Sequence, residues 1–301
     1  MSTPPPIPRA VALTHWGVIR AHGDDAASFL HSQLTNDFAG LGLSEARLAG
    51  YCSAKGRLLA SFVAWKAAHD DILLACHASV LPATLKRLSM FVLRAKCKLT
   101  DASAEVPLSG LVGESPLPAV WHKADADGAT LVRLPDAAGV TRMLRAGPRT
   151  EPDTVTLDHW RWLEVQSGVP VIEAATAEHF VPQMLNFELV GGVNFQKGCY
   201  PGQEVVARAQ YRGTVKRRTF LFDVAGDAAP GQDVFHSADP GQPAGLVANA
   251  APSPEGGASV LAEVKLAALD GGTLHLGTPS GPALRRRPLP YAVPVDAEQA
   301  V

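Results

Sequence analysis

The chain has no C-x-x-C pair, and none of its four cysteines, Cys52, Cys76, Cys97 and Cys199, groups with histidine at zinc-finger spacing. A structural zinc site of the usual kind is therefore excluded by spacing. Four scattered cysteines in 301 residues do not make a disulfide framework either. No apolar run approaches the ~20 residues of a membrane-spanning helix. The proline-rich start, Met1 to Ala10, has no apolar stretch of the kind found in signal peptides, so the expected location is the cytoplasm. Excess charge is also missing. With 27 Lys and Arg against 29 Asp and Glu, the net charge of −2 offers no global attraction to nucleic acid, and no direct stable nucleic-acid binding is expected. Two local basic clusters, Lys216-Arg217-Arg218 and Arg285-Arg286-Arg287, read as solvated strand edges or tails. No repeat of fixed period is found, which excludes solenoid architectures.

What is present is an ordinary globular composition, 47% apolar and 19% charged, in a chain long enough for two or three cores. After a proline-rich arm over residues 1–10, Val11–Ile19 reads as a strand. Asp24 then caps a helix with Phe29, Leu30 and Leu34 on its buried face. Strands over Leu48–Cys52 and Arg57–Trp65 flank the Ser53-Ala54-Lys55-Gly56 turn, and Ile72–Cys76 is a third. Leu81–Leu93 has helical spacing with Pro82 in the first turn, and Ala95–Leu99 returns as a strand. Further strands are expected over Val106–Val112, Ala129–Leu134 and Val140–Leu144, with turns at 125–128 and 135–139. Thr156–Gln166 reads as a helix. Beyond Gly213, short strands such as Arg218–Val224, Gly245–Ala248, Val260–Lys265 and Thr273–Leu276 alternate with Gly/Pro/Asp clusters, the pattern of a small β-barrel. The expected class is α+β, helices on antiparallel sheets. Two domains are expected, 1–215 and 216–301.

Residues 195–213, FQKGCYPGQEVVARAQYRG, carry the strongest chemical signal. Pro201-Gly202 is a tight turn, and Pro201–Arg212 reads as a helix with Gly213 as its stop. Glu204 and Arg208 stand four apart in the supporting orientation. Cys199 then lies just outside a helix N-terminus and close to Lys197, two features that favour a thiolate. Such a cysteine can be a nucleophile, a soft metal ligand, a redox-labile group or simply a small buried hydrophobe.

The octet Lys197-Gly198-Cys199-Tyr200-Pro201-Gly202-Gln203-Glu204, followed by Val206-Ala207-Arg208, resembles the signature of the YgfZ family of folate-binding proteins, relatives of the glycine-cleavage aminomethyltransferase (T-protein). Gln33-Leu34-Thr35-Asn36-Asp37, Ala54-Lys55-Gly56-Arg57, Phe180-Val181-Pro182-Gln183, Gly191-Gly192-Val193 and Pro288-Leu289-Pro290-Tyr291 resemble further family blocks in the family's order, over about residues 11–291.

The resemblance implies a two-part folate-binding region with ferredoxin-like sheets and a C-terminal barrel, arranged around a central channel. It implies tetrahydrofolate as the ligand, with Trp16 and Trp160 as aromatic walls, Gln203 and Glu204 at the pterin edge, and Lys55 and Arg208 as cationic contacts. Lys197 and Cys199 would be the reactive pair, with Cys199 the working thiol; no metal ligand set is assigned. The implied function is an accessory role in maturing or repairing iron–sulfur enzymes, including those that methylthiolate tRNA, with iron–sulfur client or assembly proteins as partners. The T-protein's aspartate motif is missing here, so one-carbon (aminomethyl) transfer or demethylation of the T-protein type is the alternative. A protein–protein adaptor with a vestigial folate pocket is the third class.

Overall fold

Strands that are neighbours in sequence do not always share a sheet, and one such crossing, between the first two strands, borders a cavity. A computed structural model describes residues 9–149, 152–211 and 215–294. In chain order its regular elements begin with β1 (Arg9–Ala12), β2 (Trp16–His22), α1 (Ala26–Gln33), β3 (Ala46–Cys52), β4 (Leu58–Ala68), β5 (Asp71–His77), α2 (Leu81–Ser89) and β6 (Lys98–Asp101). There follow β7 (Leu108–Val112), β8 (Lys123–Ala126), β9 (Ala129–Ala137), β10 (Val140–Ala146), α3 (Leu157–Gln166) and α4 (Gln203–Tyr211). The last part contains β11 (Arg217–Val224), β12 (Asp233–His236), β13 (Asp239–Pro252), β14 (Ala258–Lys265), β15 (Leu274–Leu276) and β16 (Leu284–Arg287).

Every pairing among these strands is antiparallel. They form three sheets, with orders β3-β4-β5-β2-β6, β1-β7-β10-β9-β8 and β15-β12-β13-β14-β11-β16. The single strand expected over Val11–Ile19 is therefore two strands in two sheets. A turn closed by Trp16 N–H on Leu13 O (3.1 Å) parts them and leaves His15 and Trp16 at the crossing. β1 also takes in Arg9 and Ala10 from the expected N-terminal arm.

The first sheet is covered on both faces, because alternate side chains of a strand point opposite ways. Ile19, Phe62, Ala64, Leu74 and Cys76 join a core with α1, α2 and the 180–195 segment. Val18, Val63, Trp65, Leu73 and Ala75 join a second core with the middle sheet and α3. The last sheet curls around its own core of Phe220, Phe222, Val247, Val260 and Val264. A bridge from His275 to Ala283 brings the β15 end towards β16, giving a half-barrel. Tyr291 of the C-terminal block donates its hydroxyl to Gly168 O just past α3 (2.7 Å).

Several expectations are corrected. Leu81–Leu93 is helical only to Ser89, and the following strand is Lys98–Asp101 rather than Ala95–Leu99. Asp24 does not cap α1. The N-cap is Asp25, whose carboxylate instead accepts the Lys96 N–H (2.7 Å). The 216–218 cluster is not a solvated edge: Arg218 is buried against Glu188, and Arg217 pairs with the buried Glu263. Arg285 and Arg287 flank Asp223 at 3.0 and 3.5 Å, and Arg286 lies over the Phe220 ring, so that cluster is a charged strand edge. Arg212 and Gly213, expected as the last turn and stop of α4, lie outside the described residues.

Candidate functional site

Beside the crossing from β1 to β2, residues of the first sheet, the last sheet, α3 and the segment after it enclose a cavity of about 230 Å³, lined by Trp16, His77, Arg161, Glu164, Glu173 and Asn249 among others. Thr156 starts α3 as an N-cap, its hydroxyl accepting the His159 N–H (3.2 Å). Trp160 and Glu164, four apart, share one face of that helix. Glu164 Oε1 accepts two indole N–H groups, from Trp16 (2.9 Å) and Trp160 (2.8 Å). Its other oxygen stands 3.0 Å from His15 Nε2. Burial works to raise the Glu164 pKa, but the bond and charge of His15, the Arg142 charge and the Trp160 bond together hold it below the usual carboxylate range.

A second acid faces it. Glu173 Oε1 accepts from Asn249 Nδ2 (3.1 Å), and its Oε2 lies 3.8 Å from His77 Nε2. Asn249 also bonds both backbone groups of Val171, at 3.0 and 2.7 Å, which clamps the half-barrel onto the segment after α3. Burial pushes the Glu173 carboxyl up. Burial and the neighbouring His15 charge push His77 down to about 4, so its ring is neutral at pH 7. The cavity thus combines an aromatic wall, one carboxylate held ionised and one poised nearer to protonation.

The sequence-predicted site residues divide between two places. Trp16 lines this cavity. Trp160 is not among the lining residues: it is fully buried, its ring pressed on Gly110 and covered by the Arg142 guanidinium at 5.3 Å. The others, Lys55, Lys197, Cys199, Gln203, Glu204 and Arg208, are not among the cavity's lining residues. They gather around the end of α1 and the start of α4. The Lys197 ammonium donates to the carbonyls of His31 and Leu34 (2.9 Å for the latter) at the C-terminal end of α1, and lies 4.7 Å from the Tyr200 ring centroid. It caps one helix while holding the loop that starts another. Burial pushes its pKa down to about 8, against the opposing charges of Asp37 and Cys199.

Cys199 is exposed, four residues ahead of the first residue of α4. Cys52 and Cys76 are buried and Cys97 half-buried. Beside the loop, His31 Nδ1 pairs with Asp37 Oδ1 at 2.9 Å. Burial opposes ionisation of Asp37, but the Gly40 N–H and His31 keep its carboxyl below the usual range. The Lys55-Gly56 turn packs on the loop through glycine. Gly202 has φ +78°, and a Cβ there would meet Ser53 O at 2.4 Å and Gly56 Cα at 2.7 Å. Lys55, Glu204 and Arg208 are exposed and Gln203 half-buried, and no ion pair joins Glu204 to Arg208 among the described residues.

Three of the outlying sequence blocks are tied to one another or to α4 near the same loop, while Pro288–Tyr291 packs on Gly168 instead. Thr35 donates its hydroxyl to Gly192 O (2.6 Å), and Asn36 Nδ2 bonds Leu48 O and Gly191 O. Gln183 Nε2 bonds Val206 O in α4 (2.8 Å).

The fold is that of the aminomethyltransferases. The crystal structure of glycine cleavage system aminomethyltransferase T from Bartonella henselae superposes with a TM-score of 0.72 over 93% of this chain and 85% of that one, at 17% identity. The chain belongs to the YgfZ family. It is 30% identical to the tRNA-modifying protein YgfZ of Sodalis glossinidius over 94% of this chain and 93% of that protein. It is 31% identical to the YgfZ of Photobacterium profundum over 72% of this chain and 70% of that protein, and 30% identical to that of Edwardsiella ictaluri over 72% of each. No protein-family profile matches the chain.

Proposed function

We propose that this protein is a folate-binding accessory factor for iron–sulfur enzymes, including those that methylthiolate tRNA, with Cys199 as its working thiol. The observation that carries the folate part is the cavity at the sheet crossing. A pterin needs a flat apolar wall and a few fixed polar groups. Trp16 supplies the wall. Glu164, Glu173 and Asn249 supply acceptors and a donor for the ring edge, taking the place first expected of Gln203 and Glu204. At about 230 Å³ the cavity is below the ~300–1,000 Å³ of whole drug-sized ligands. It suits the ring system, with the aminobenzoyl-glutamate tail leading outward along the channel that the family resemblance implies. Bound tetrahydrofolate would supply one-carbon chemistry. The part played by this chain's residues is to hold the ring flat against Trp16 and keep Glu164 ionised.

The tRNA part rests on the names of the family members. The thiol part rests on the exposure of Cys199 in a loop fixed at both sides by Lys197 and Gly202. A single cysteine does not hold an iron–sulfur cluster, which takes several thiolates, so a cluster at Cys199 would need ligands from a partner. Among the described residues no group of three or more His, Cys, Asp or Glu side chains is placed to hold a metal ion. Also among them, no helix is long and apolar enough to cross a membrane.

Titration of tetrahydrofolate against intrinsic tryptophan fluorescence tests the ligand. Trp16→Ala should weaken binding by about fivefold or more, the loss of one stacking wall worth ~1 kcal/mol or more. Unchanged affinity would overturn the cavity as the folate site. Complementation of a strain lacking its own homologue, scored by an iron–sulfur tRNA methylthiolase, tests the thiol. Cys199→Ala should abolish rescue while leaving folate affinity intact; full rescue would move the reading to an adaptor.

A further inference from the structure

The net charge of −2 hides a segment of opposite character. Between Asp71 and Asp101 the sequence has no acidic residue and five cations: Lys86, Arg87, Arg94, Lys96 and Lys98. All five are exposed. Only Lys96 makes an ion pair among the described residues, a 3.5 Å contact with the exposed Asp24. In the same stretch Met90, Phe91 and Leu93 are 66%, 44% and 85% exposed, three large apolar side chains within four residues. Such clustering on a surface marks an interaction site.

The segment is preformed. Its backbone is locked to the start of α1 by Asp25 N–H on Lys96 O (3.1 Å) and Lys96 N–H on the Asp25 carboxylate (2.7 Å). Gly23, at φ +132°, leaves room for that lock: a Cβ there would stand 2.2 Å from Lys96 O. Arg94, Lys96 and Lys98 are exposed and alternate with half-buried Ala95, Cys97 and Leu99. Residues 93–96 bend, with Cys97 N–H on Ala95 O (2.8 Å), and run into β6 at Lys98, so the three exposed cations are gathered within five residues.

We infer that residues 86–98 form a docking strip for RNA. A cluster of five exposed cations, only Lys96 of them in an ion pair among the described residues, fits a repeating anion, the sugar–phosphate backbone, better than a single acidic group. Phe91 with Met90 and Leu93 offers the apolar and aromatic surface on which unstacked bases rest. The strip is tied to the N-terminal end of α1 and the Cys199 loop to its C-terminal end, a helix of eight residues or about 12 Å. RNA seated on the strip is thereby placed within reach of the thiol loop.

The test is fluorescence polarisation of the full chain with an unmodified tRNA transcribed in vitro, between 50 and 200 mM salt. Binding that falls steeply with salt is expected. The triple change Arg94→Gln, Lys96→Gln and Lys98→Gln should weaken it about tenfold or more at 50 mM and flatten the log–log salt slope by about three. The control triple Arg285→Gln, Arg286→Gln and Arg287→Gln should leave both unchanged. All substitutions are at exposed positions, and unaltered thermal melting verifies the fold. No measurable tRNA binding at 50 mM overturns the inference, as does equal loss in both triples. Tighter binding to phosphatidylglycerol vesicles than to tRNA, lost on the 94/96/98 changes, also overturns it and assigns the strip to anionic lipid.

Discussion

Gly56 and Gly202 meet backbone to backbone, both with positive φ (+71° and +78°), so that neither position has room for a side chain. The contact joins the tip of the β3–β4 turn to the turn that launches α4. Gly202→Val should therefore cost about 1–3 kcal/mol in backbone strain alone, with the clash on Ser53 O added. A lowered melting temperature together with altered Cys199 labelling would bear this out. A native melting curve would remove the contact from the account.

The four thiols should react in a fixed order. Burial pushes Cys52 and Cys76 up to about 12 and Cys97 to about 11, while Cys199 stands in solvent. Alkylation of the native protein at pH 7–8, followed by mass spectrometry, should label Cys199 first, Cys97 far more slowly and the other two only after unfolding. Earlier labelling of any of the three would contradict this environment.

Glu164→Leu should be among the most damaging single changes at the cavity. It leaves the indole N–H groups of Trp16 and Trp160 without their shared acceptor, at about 1–3 kcal/mol for each one left buried and unpaired. Glu164→Gln keeps an acceptor oxygen and should lose less. Chemical denaturation of the two variants beside the parent measures the difference. Equal stability of the Leu and Gln forms would argue against the shared bond.

His77 sets a pH dependence whose sign follows from its neutral state. Unfolded, it takes up a proton near 6.5; folded, only near 4. The unfolded chain therefore binds more protons between those values, and stability falls as pH drops from about 6.5 to about 4. His77→Gln should flatten that limb of the stability–pH curve. A histidine proton resonance of His77 titrating at its ordinary position would exclude the burial described.

Local pattern was enough to locate α3, the β3–β4 turn and the glycine at 202, because each depends on residues within a few positions of one another. The motif blocks were also legible, and Thr35 and Asn36 show why they belong together: their side chains reach Gly191 and Gly192. The depth at which Trp160 is buried depends on Gly110, fifty residues away, where a Cβ would meet the indole at 2.4 Å. Glu164 carries a local signal, its i+4 relation to Trp160 on one helix face. Glu173 and Asn249 had none, since their bond joins residues 76 apart. The over-long α2 reflects apolar spacing through Leu93, overruled by the anchor of Lys96 on Asp25.

The donation of β1 to the middle sheet has a consequence for synthesis. Val11 pairs with Gly110, so the strand leaves the ribosome about a hundred residues before its partner. At ~5–20 residues per second it waits several seconds to tens of seconds with its ladder groups open. Until residues 108–112 arrive, the β1 edge is open to any other strand of the nascent chain, which makes the docking of β7 on β1 a late step that closes the middle sheet.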